Sequence, residues 1–379
     1  MSASPIPFHI AHTPARAREY VLDAFERNEN VHGTYTRRAQ AMLEERYGVH
    51  RVLLTHSATA ALEMSAMVLK AARGATRVLM PSYTFASTAN AYLRSDYDLE
   101  FLDIDPATMN MPLSQVVAAG PAAGSVILPI HYAGHLGEID AYSSWASEHG
   151  MLLVEDAAQA LGSSLEGRWA GTFGALAAIS LHFTKNIHSS MGGALFINDP
   201  DLVDTATYIW ERGTNRQALL KGLVDKYSWV ELGSSFQGTE IQAALFLAGL
   251  EEYDAVVEHR RTLWEGYAAL LGGHDDLGLH VQRWDPRLGN NYHAFYIRLE
   301  TADMADAVRE ALEEQGIHAY IGYVPLHDSP YGVRKGLCRP LPQTERWAPC
   351  ILRLPLHTHM DHSDMETVAA AVLDSISGR

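Results

Sequence analysis

Ser180-Leu-His-Phe-Thr-Lys-Asn-Ile-His-Ser-Ser-Met-Gly-Gly193 is the stretch on which the fold turns. Lys185 stands just past an apolar run, residues 175–181, whose composition predicts a strand. Gly192 and Gly193 follow, and then a second apolar run at residues 194–198. A lysine at a strand end is ordinarily a solvated surface charge. Its meaning depends on what the strands before it deliver to the same place.

Those strands are regular. Residues 51–55 form a compact β-branched and leucine run that turns through His56-Ser-Ala-Thr59 into a helical stretch at 60–72. A short strand at 78–80 ends at Pro81-Ser-Tyr-Thr-Phe85, with a helix over 86–93. Strands follow at 100–104 and 125–129, the latter before His131-Tyr-Ala-Gly134, then an amphipathic helix at 139–149 and a buried strand at 151–155. This rhythm predicts an α/β fold, a mostly parallel sheet with helices on both faces. Two helices, at 15–28 and 35–47, precede it across the loop Asn30-Val-His-Gly-Thr34. After Gly193 the pattern changes. Helices at 202–212 and 239–258 flank a polar, basic segment, 212–238, and the second runs on to about residue 271. Beyond Gly272-Gly273 lies a smaller α+β portion: strand 294–299, helix 304–315, strand 319–323, and a loop-rich tail closing on a helix at 366–377. The expected division is a large α/β domain, residues 1–252, and a small C-terminal α+β domain, residues 253–379.

Bulk properties exclude several function classes. The 379 residues are 47% hydrophobic and 20% charged, with 29 Lys+Arg against 45 Asp+Glu and a formal net charge of -16. Such a surface repels nucleic acid and anionic membranes, so an anionic small ligand needs its own basic pocket. No apolar run approaches the roughly 20 residues of a membrane span. The first eight residues lack the marks of an export signal, so the expected location is cytoplasmic. Cys338 and Cys350 make neither a disulfide framework nor a metal knuckle. His357-Thr-His359 and His362 have no acidic or cysteine partner at ligand spacing, and no metal is expected.

Against that background, four features recur in order. His56-Ser-Ala-Thr-Ala60 brings a strand to a helix N-terminus, where free N–H groups and the helix dipole favour a phosphate; plain N-capping explains the same residues. Phe85 follows a strand end, where an aromatic can stack on a planar ring or serve as a lid. Val154-Glu-Asp-Ala-Ala-Gln159 ends a buried strand in two carboxylates. Asp156 there is desolvated and wants a cation, such as a protonated pyridine nitrogen, or else caps a helix. Lys185, if buried, is nucleophilic near neutral pH and forms a Schiff base with an aldehyde. Pyridoxal phosphate needs these parts together.

The series Ser57-Ala-Thr-Ala-Ala-Leu62, Pro81-Ser-Tyr-Thr-Phe-Ala-Ser-Thr-Ala-Asn90, Glu155-Asp-Ala-Ala-Gln159 and Ser180-Leu-His-Phe-Thr-Lys-Asn186 resembles the DegT/DnrJ/StrS family. Its members are fold-type-I, aspartate aminotransferase-like, pyridoxal-phosphate-dependent sugar aminotransferases. The likeness continues through Gly192-Gly193, Arg212-Gly-Thr-Asn-Arg216, Val224-Asp-Lys-Tyr-Ser-Trp229, Leu232-Gly-Ser-Ser-Phe236, Tyr323-Val-Pro-Leu-His327 and Leu354-Pro-Leu356. The segments at 212–216 and 224–236 look most like the branch that aminates C4 of dTDP-4-keto-6-deoxy-glucose, with L-glutamate as donor.

The resemblance implies a role for each matched residue. Lys185 would be the Schiff-base lysine and proton shuttle, Asp156 the partner of the pyridine nitrogen, and Gln159 a neighbour of the ring hydroxyl. Phe85 would stack on the ring, and Ala58, Thr59 and Ser180 would hold the phosphate. The family adds an asparagine from the neighbouring subunit in a Gly-Tyr-Asn-Tyr-Arg pattern. Gly233-Ser-Ser-Phe-Gln237 stands there instead, so Ser235 takes its place in a homodimer with shared active sites. Ser189-Ser-Met191 replaces a common Gly-Gly-Glu, implying a stiffer loop beside the lysine. Arg212, Arg216, Lys221 and Lys226 form a basic series that would contact the sugar-nucleotide diphosphate, or else a solvated face. Tyr323 and His327 would line the substrate pocket. His182 would line the cofactor site or pack beside it. The retained lysine argues against the dehydratases of the family, which carry histidine there. C3 amination, aminopentose formation and a non-catalytic regulator are the remaining alternatives. A nicotinamide dehydrogenase lacks its Gly-x-Gly-x-x-Gly.

Overall fold

The computed structural model describes residues 5–377. Its first half builds strands β1 (Arg51–Thr55), β2 (Arg77–Pro81), β3 (Asp98–Leu102), β4 (Val126–Ile127) and β5 (Leu152–Asp156). A short hairpin, β6 (Ser164–Leu165) and β7 (Arg168–Trp169), precedes β8 (Leu176–Ser180) and β9 (Gly193–Ile197). The main sheet is seven-stranded, ordered β1-β9-β8-β5-β4-β2-β3. Every pairing is parallel except those of β9, which runs antiparallel to both β1 and β8. The mostly parallel α/β sheet read from the strand–helix alternation is the architecture found.

The sheet is buried on both faces, and the two-residue period of a strand sorts its side chains. Leu176, Ala178, Leu195 and Ile197 face the helices Ala58–Arg73 and Val203–Trp210. Ala177, Ile179, Ala194 and Phe196 face the helices Ala17–Glu26, Thr34–Tyr47, Ile139–His149 and Glu240–Glu251. A second, antiparallel sheet follows, from β10 (Leu279–Val281), β12 (Phe295–Leu299), β14 (Ile351–Leu354) and β13 (Tyr320–Ile321), in that order. The strand β11 (Leu288–Gly289) instead pairs with β6. Helix Tyr253–Leu271 serves both cores: Tyr253 and Val256 pack with the main sheet, and Leu263, Trp264, Tyr267 and Leu271 with the second.

Several boundaries differ from the sequence reading. The helix expected at 239–258 ends at Glu251 and restarts at Tyr253. Glu252 between them accepts the Ala15 N–H at 2.8 Å and pairs with His12 at 2.9 Å, so the N-terminal segment claims its side chain. The helix expected at 202–212 is Val203–Trp210, preceded by a single turn, Pro200–Leu202, that Asp199 caps. The closing helix starts earlier, at His362. The segment 212–238 contains a short helix, Arg216–Leu220, and exposes Leu220, Leu223, Trp229 and Leu232 as well as its basic residues. The short strands β6, β7, β10, β11 and β14 escaped the sequence reading, being too short to show a period, while β4 and β13 are shorter than the strands expected at 125–129 and 319–323.

The last two residues of β5 point opposite ways. Glu155 faces away from Asp156 and is fully buried. It accepts N–H groups from Gly171 (2.8 Å), Phe173 (2.7 Å) and Gly174 (2.9 Å), and its other bond is to His131 Nε2 at 2.9 Å. One carboxylate thus folds the turn before β8, and the neighbouring one is bound on the other side of the strand by Thr88 and Ala158. Glu155→Ala strands those donors in the core and should cost roughly 3 kcal/mol. A circular-dichroism melt should show a midpoint several degrees lower, and an unchanged midpoint would refute this account of the turn.

Candidate active site

The site is built at one end of the main sheet. The register places Thr55 of β1 opposite Gly193 of β9, and Gly193 opposite Ser180 of β8. Asp156 of β5 lies opposite Ala178, two residues before Ser180. Three strand ends and the start of helix Ala58–Arg73 therefore meet in one row.

At the helix start, Ser57 Oγ accepts the Ala60 N–H at 3.1 Å, which is the N-cap. The N–H groups of Ala58 and Thr59 are left without acceptors among the described residues. The cap consumes one donor of this turn and leaves the other two without acceptors, as an anion-binding turn would require. Gly193 packs directly on this turn, and a Cβ there would stand 2.4 Å from the Ala58 nitrogen. Thr59 Oγ1 donates to Ser87 Oγ at 2.8 Å, and Ser180 is buried beside them.

Asp156 is buried. Its Oδ2 accepts Thr88 Oγ1 at 2.7 Å and its Oδ1 the Ala158 N–H at 3.1 Å. Burial raises its pKa, and the two hydrogen bonds and the charge on Lys185 act against that rise. Gln159 Oε1 accepts the Ala133 N–H at 2.8 Å, and its Nε2 donates to the Tyr323 hydroxyl at 2.5 Å. Lys185 sits in a turn closed by its own N–H on His182 O at 2.9 Å. Burial first, then the charge of Arg353, lowers its amine to about 8, with Asp156 opposing. His182 is tied to Thr184 at 2.9 Å. In the loop beyond, Ser190 takes a left-handed φ of 65°, and the Ser189 hydroxyl bonds Met191 O at 3.0 Å. Phe85 precedes helix Ala86–Leu93, is 61% exposed, and lies 6.2 Å from the Tyr323 ring.

Other candidate residues lie elsewhere. His327 is buried between Ser82 Oγ (2.7 Å) and Glu345 (3.4 Å), where it ties the loop after β13 to the end of β2. Lys221 lines a cavity of about 410 Å³ with Arg37, Arg51 and Tyr208, none of which borders Lys185. Lys226 is exposed, and its carbonyl accepts Asn215 Nδ2 at 3.0 Å. Ser235 is exposed and bridges to Glu211. His357 Nε2 bonds Pro7 O at 3.1 Å, and among the described residues no group of three His, Cys, Asp or Glu could hold a metal. No helix described is long and apolar enough to cross a membrane. Sequence reasoning missed Thr88 and Arg353. Thr88 lies one turn into the helix after Phe85, so a carboxylate partner there was findable. Arg353 carried no signal beyond its place just before Leu354-Pro-Leu356.

The sequence profile of the DegT/DnrJ/EryC1/StrS aminotransferase family matches residues 13–373. The chain belongs to this family. It is 30% identical over 356 residues, 92% of its length and 91% of the relative's, to a dTDP-4-dehydro-2,3,6-trideoxy-D-glucose 4-aminotransferase of Saccharopolyspora spinosa. The aminotransferase TlmJ of Streptoalloteichus hindustanus superposes with a TM-score of 0.89 at 27% identity, covering 99% of this chain and 100% of that one. A putative sugar aminotransferase of Streptococcus pneumoniae in its PMP form has the same fold, with a TM-score of 0.89 at 20% identity over 98% of this chain and 99% of that one. The protein is an aminotransferase of fold type I, and DegT/DnrJ/EryC1/StrS enzymes use pyridoxal 5′-phosphate.

The residues present suit that cofactor. Two orphan N–H groups at a helix start suit a phosphate, a buried carboxylate short of positive charge suits a pyridinium, and a desolvated amine suits an aldehyde. In the cofactor-free aminotransferase, Lys185 should titrate near pH 8, against about 10.4 for an ordinary lysine. The lowered pKa means the neutral, reactive amine predominates above pH 8. Reductive methylation followed by peptide mass spectrometry should give that midpoint at Lys185, and a midpoint near 10 would show a solvated amine.

Proposed function

We propose that this chain is a sugar aminotransferase that moves an amino group from L-glutamate to C4 of a dTDP-linked 4-keto-6-deoxy sugar. The observation that carries the proposal is the meeting of Lys185, Asp156 and the free N–H groups of Ala58 and Thr59 at one sheet end. The C4 position and the dTDP group rest on the Saccharopolyspora relative and on the motifs at 212–216 and 224–236.

Bound pyridoxal phosphate supplies an aldehyde to carry the amine and a ring to delocalise electrons. The chain's residues do the rest. Ala58, Thr59 and Ser180 hold the phosphate. Asp156, short of positive charge in its buried setting, keeps the proton on the pyridine nitrogen. Gln159, held by Ala133 and Tyr323, would lie beside the ring hydroxyl, and the exposed Phe85 would stack on the ring. Lys185 Nζ takes the proton from the donor's α-carbon, and in the second half returns one to the sugar carbon that receives nitrogen. An amine with a pKa near the operating pH is suited to both directions.

A homodimer completes the reading. The segment 212–238 exposes Leu223, Trp229 and Leu232 next to Ser235, Lys221 and Lys226. Laid against a second copy, it brings Ser235 to that copy's phosphate and the two lysines to the nucleotide diphosphate. The division of the chain near Tyr253 then sets the nucleotide-sugar cleft between the two cores.

Lys185→Ala should lower turnover by roughly 10³-fold or more. Wild-type enzyme offered glutamate and a panel of dTDP-keto sugars should yield an amine that NMR places at C4; an amine at C3 would overturn the position proposed. Lys221→Glu with Lys226→Glu should raise KM for the nucleotide sugar about tenfold while leaving KM for glutamate unchanged. An unmoved sugar KM would remove both lysines from the site.

A further inference from the structure

Two buried threonines stand behind Asp156. Thr84 lies in the loop leaving β2, and Thr88 follows in the first turn of helix Ala86–Leu93. Their hydroxyls are 3.1 Å apart, and Thr88 Oγ1 donates to Asp156 Oδ2 at 2.7 Å. The Ala158 N–H serves the other carboxylate oxygen at 3.1 Å. Thr84 Oγ1 has no further partner among the described residues. Ser87, beside Thr88, accepts Thr59 Oγ1 at 2.8 Å, so this one turn is tied both to helix Ala58–Arg73 and to the end of β5.

Each threonine hydroxyl has one proton to give. With Asp156 ionised, Thr88 gives its proton to the carboxylate and Thr84 gives its own to Thr88, so both protons are spent. With Asp156 protonated on Oδ2, the relay must turn round. Asp156 then gives to Thr88, Thr88 gives to Thr84, and the Thr84 proton is left in the core without an acceptor, which is costly. Protonated on Oδ1 instead, the carboxyl keeps both bonds of the relay but loses the charge that strengthens them. Either way the two hydroxyls favour the anion. Burial opposes it, while Thr88, Ala158, Lys185 and His131 support it. Burial raises the Tyr92 and Tyr323 hydroxyls, so both stay neutral, and Glu155 faces the other side of the strand.

We infer that Thr84 and Thr88 form a one-way hydroxyl relay that holds Asp156 as an anion, which makes Thr88 a positioning residue for the transamination. The inference rests on the reading of Asp156 as the partner of the cofactor's pyridine nitrogen. Carboxylate and nitrogen share one proton there, and the relay keeps that proton on the nitrogen. Without the relay the proton shifts toward Asp156, and the ring becomes a poorer acceptor of electrons.

The test compares wild type with Thr88→Val, Thr88→Ser and Thr84→Val, each first shown to melt as wild type does. Valine keeps the branched shape and removes the hydroxyl. Holoenzyme is prepared with an isotope-labelled pyridine nitrogen, whose NMR shift reports its protonation. Wild type and Thr88→Ser should show a protonated nitrogen. Thr88→Val should move the shift toward neutral pyridine, and Thr84→Val should move it the same way by less. In the cofactor-free full chain, the infrared carboxyl band that Asp156→Asn removes should titrate at higher pH in Thr88→Val. Its acid dissociation constant should fall roughly 10–100-fold. An unmoved infrared midpoint in Thr88→Val overturns the relay, and so does a Thr88→Ser that behaves as Thr88→Val. If Thr88→Val does not fold, the Thr84→Val midpoint decides in the same way. A midpoint that rises while the nitrogen signal stays put leaves the relay standing and removes Asp156 as the nitrogen's partner.

Discussion

The contact between Gly193 and the turn Ser57–Ala58 is the constraint on which the rest of the structure depends. Strand β9 enters between β1 and β8 against their direction, and its first residue must pass the backbone of the following helix start. Only a residue without a side chain passes there. That passage sets the edge of β1, β9 and β8 at a common height, and so sets Ser180 beside the orphan N–H groups of Ala58 and Thr59. It also fixes where the loop from Leu181 to Gly192 begins and ends, and Lys185 hangs from that loop.

Desolvation then does the electrostatic work. The protein carries a net charge of -16, and around Lys185 charges of both signs act: Arg353 holds its pKa down and Asp156 holds it up. Burial pushes Asp156 and Lys185 toward their neutral forms, and each charge pulls the other back.

Much of this was legible before any coordinates. The strand–helix alternation reported the parallel sheet, because βαβ crossovers leave a strong periodic trace. Asp156, Lys185 and the turn at Ala58 could be read because each follows a strand by a fixed few residues. What stayed hidden depends on long-range partners. Nothing local distinguishes Glu155 from Asp156 as a donor-binding carboxylate; the strand's alternation decides it. His327 looked available for substrate, and only the fold reveals Ser82 and Glu345 on its two nitrogens. Arg353 is one basic residue on an inner strand of the antiparallel sheet, and its influence on Lys185 is a property of three dimensions alone. The interruption at Glu252 likewise comes from residues near position 12, far away in sequence.

The N-terminal segment carries a consequence for how the chain is made. Ile6 bonds Gly316 O at 2.9 Å and accepts the His318 N–H at 3.0 Å, and Pro7 O accepts His357 Nε2. Further along, His9 Nε2 donates to Phe183 O at 2.8 Å and His188 Nε2 to His12 O at 2.7 Å. Residues 6 and 7 are thus anchored on residues far later in the sequence, at 316, 318 and 357. Loop closure over such distances is slow. The loop bearing Lys185 receives these last supports only after the second sheet has formed, so competence to hold cofactor should arise late in folding rather than when the main sheet first condenses.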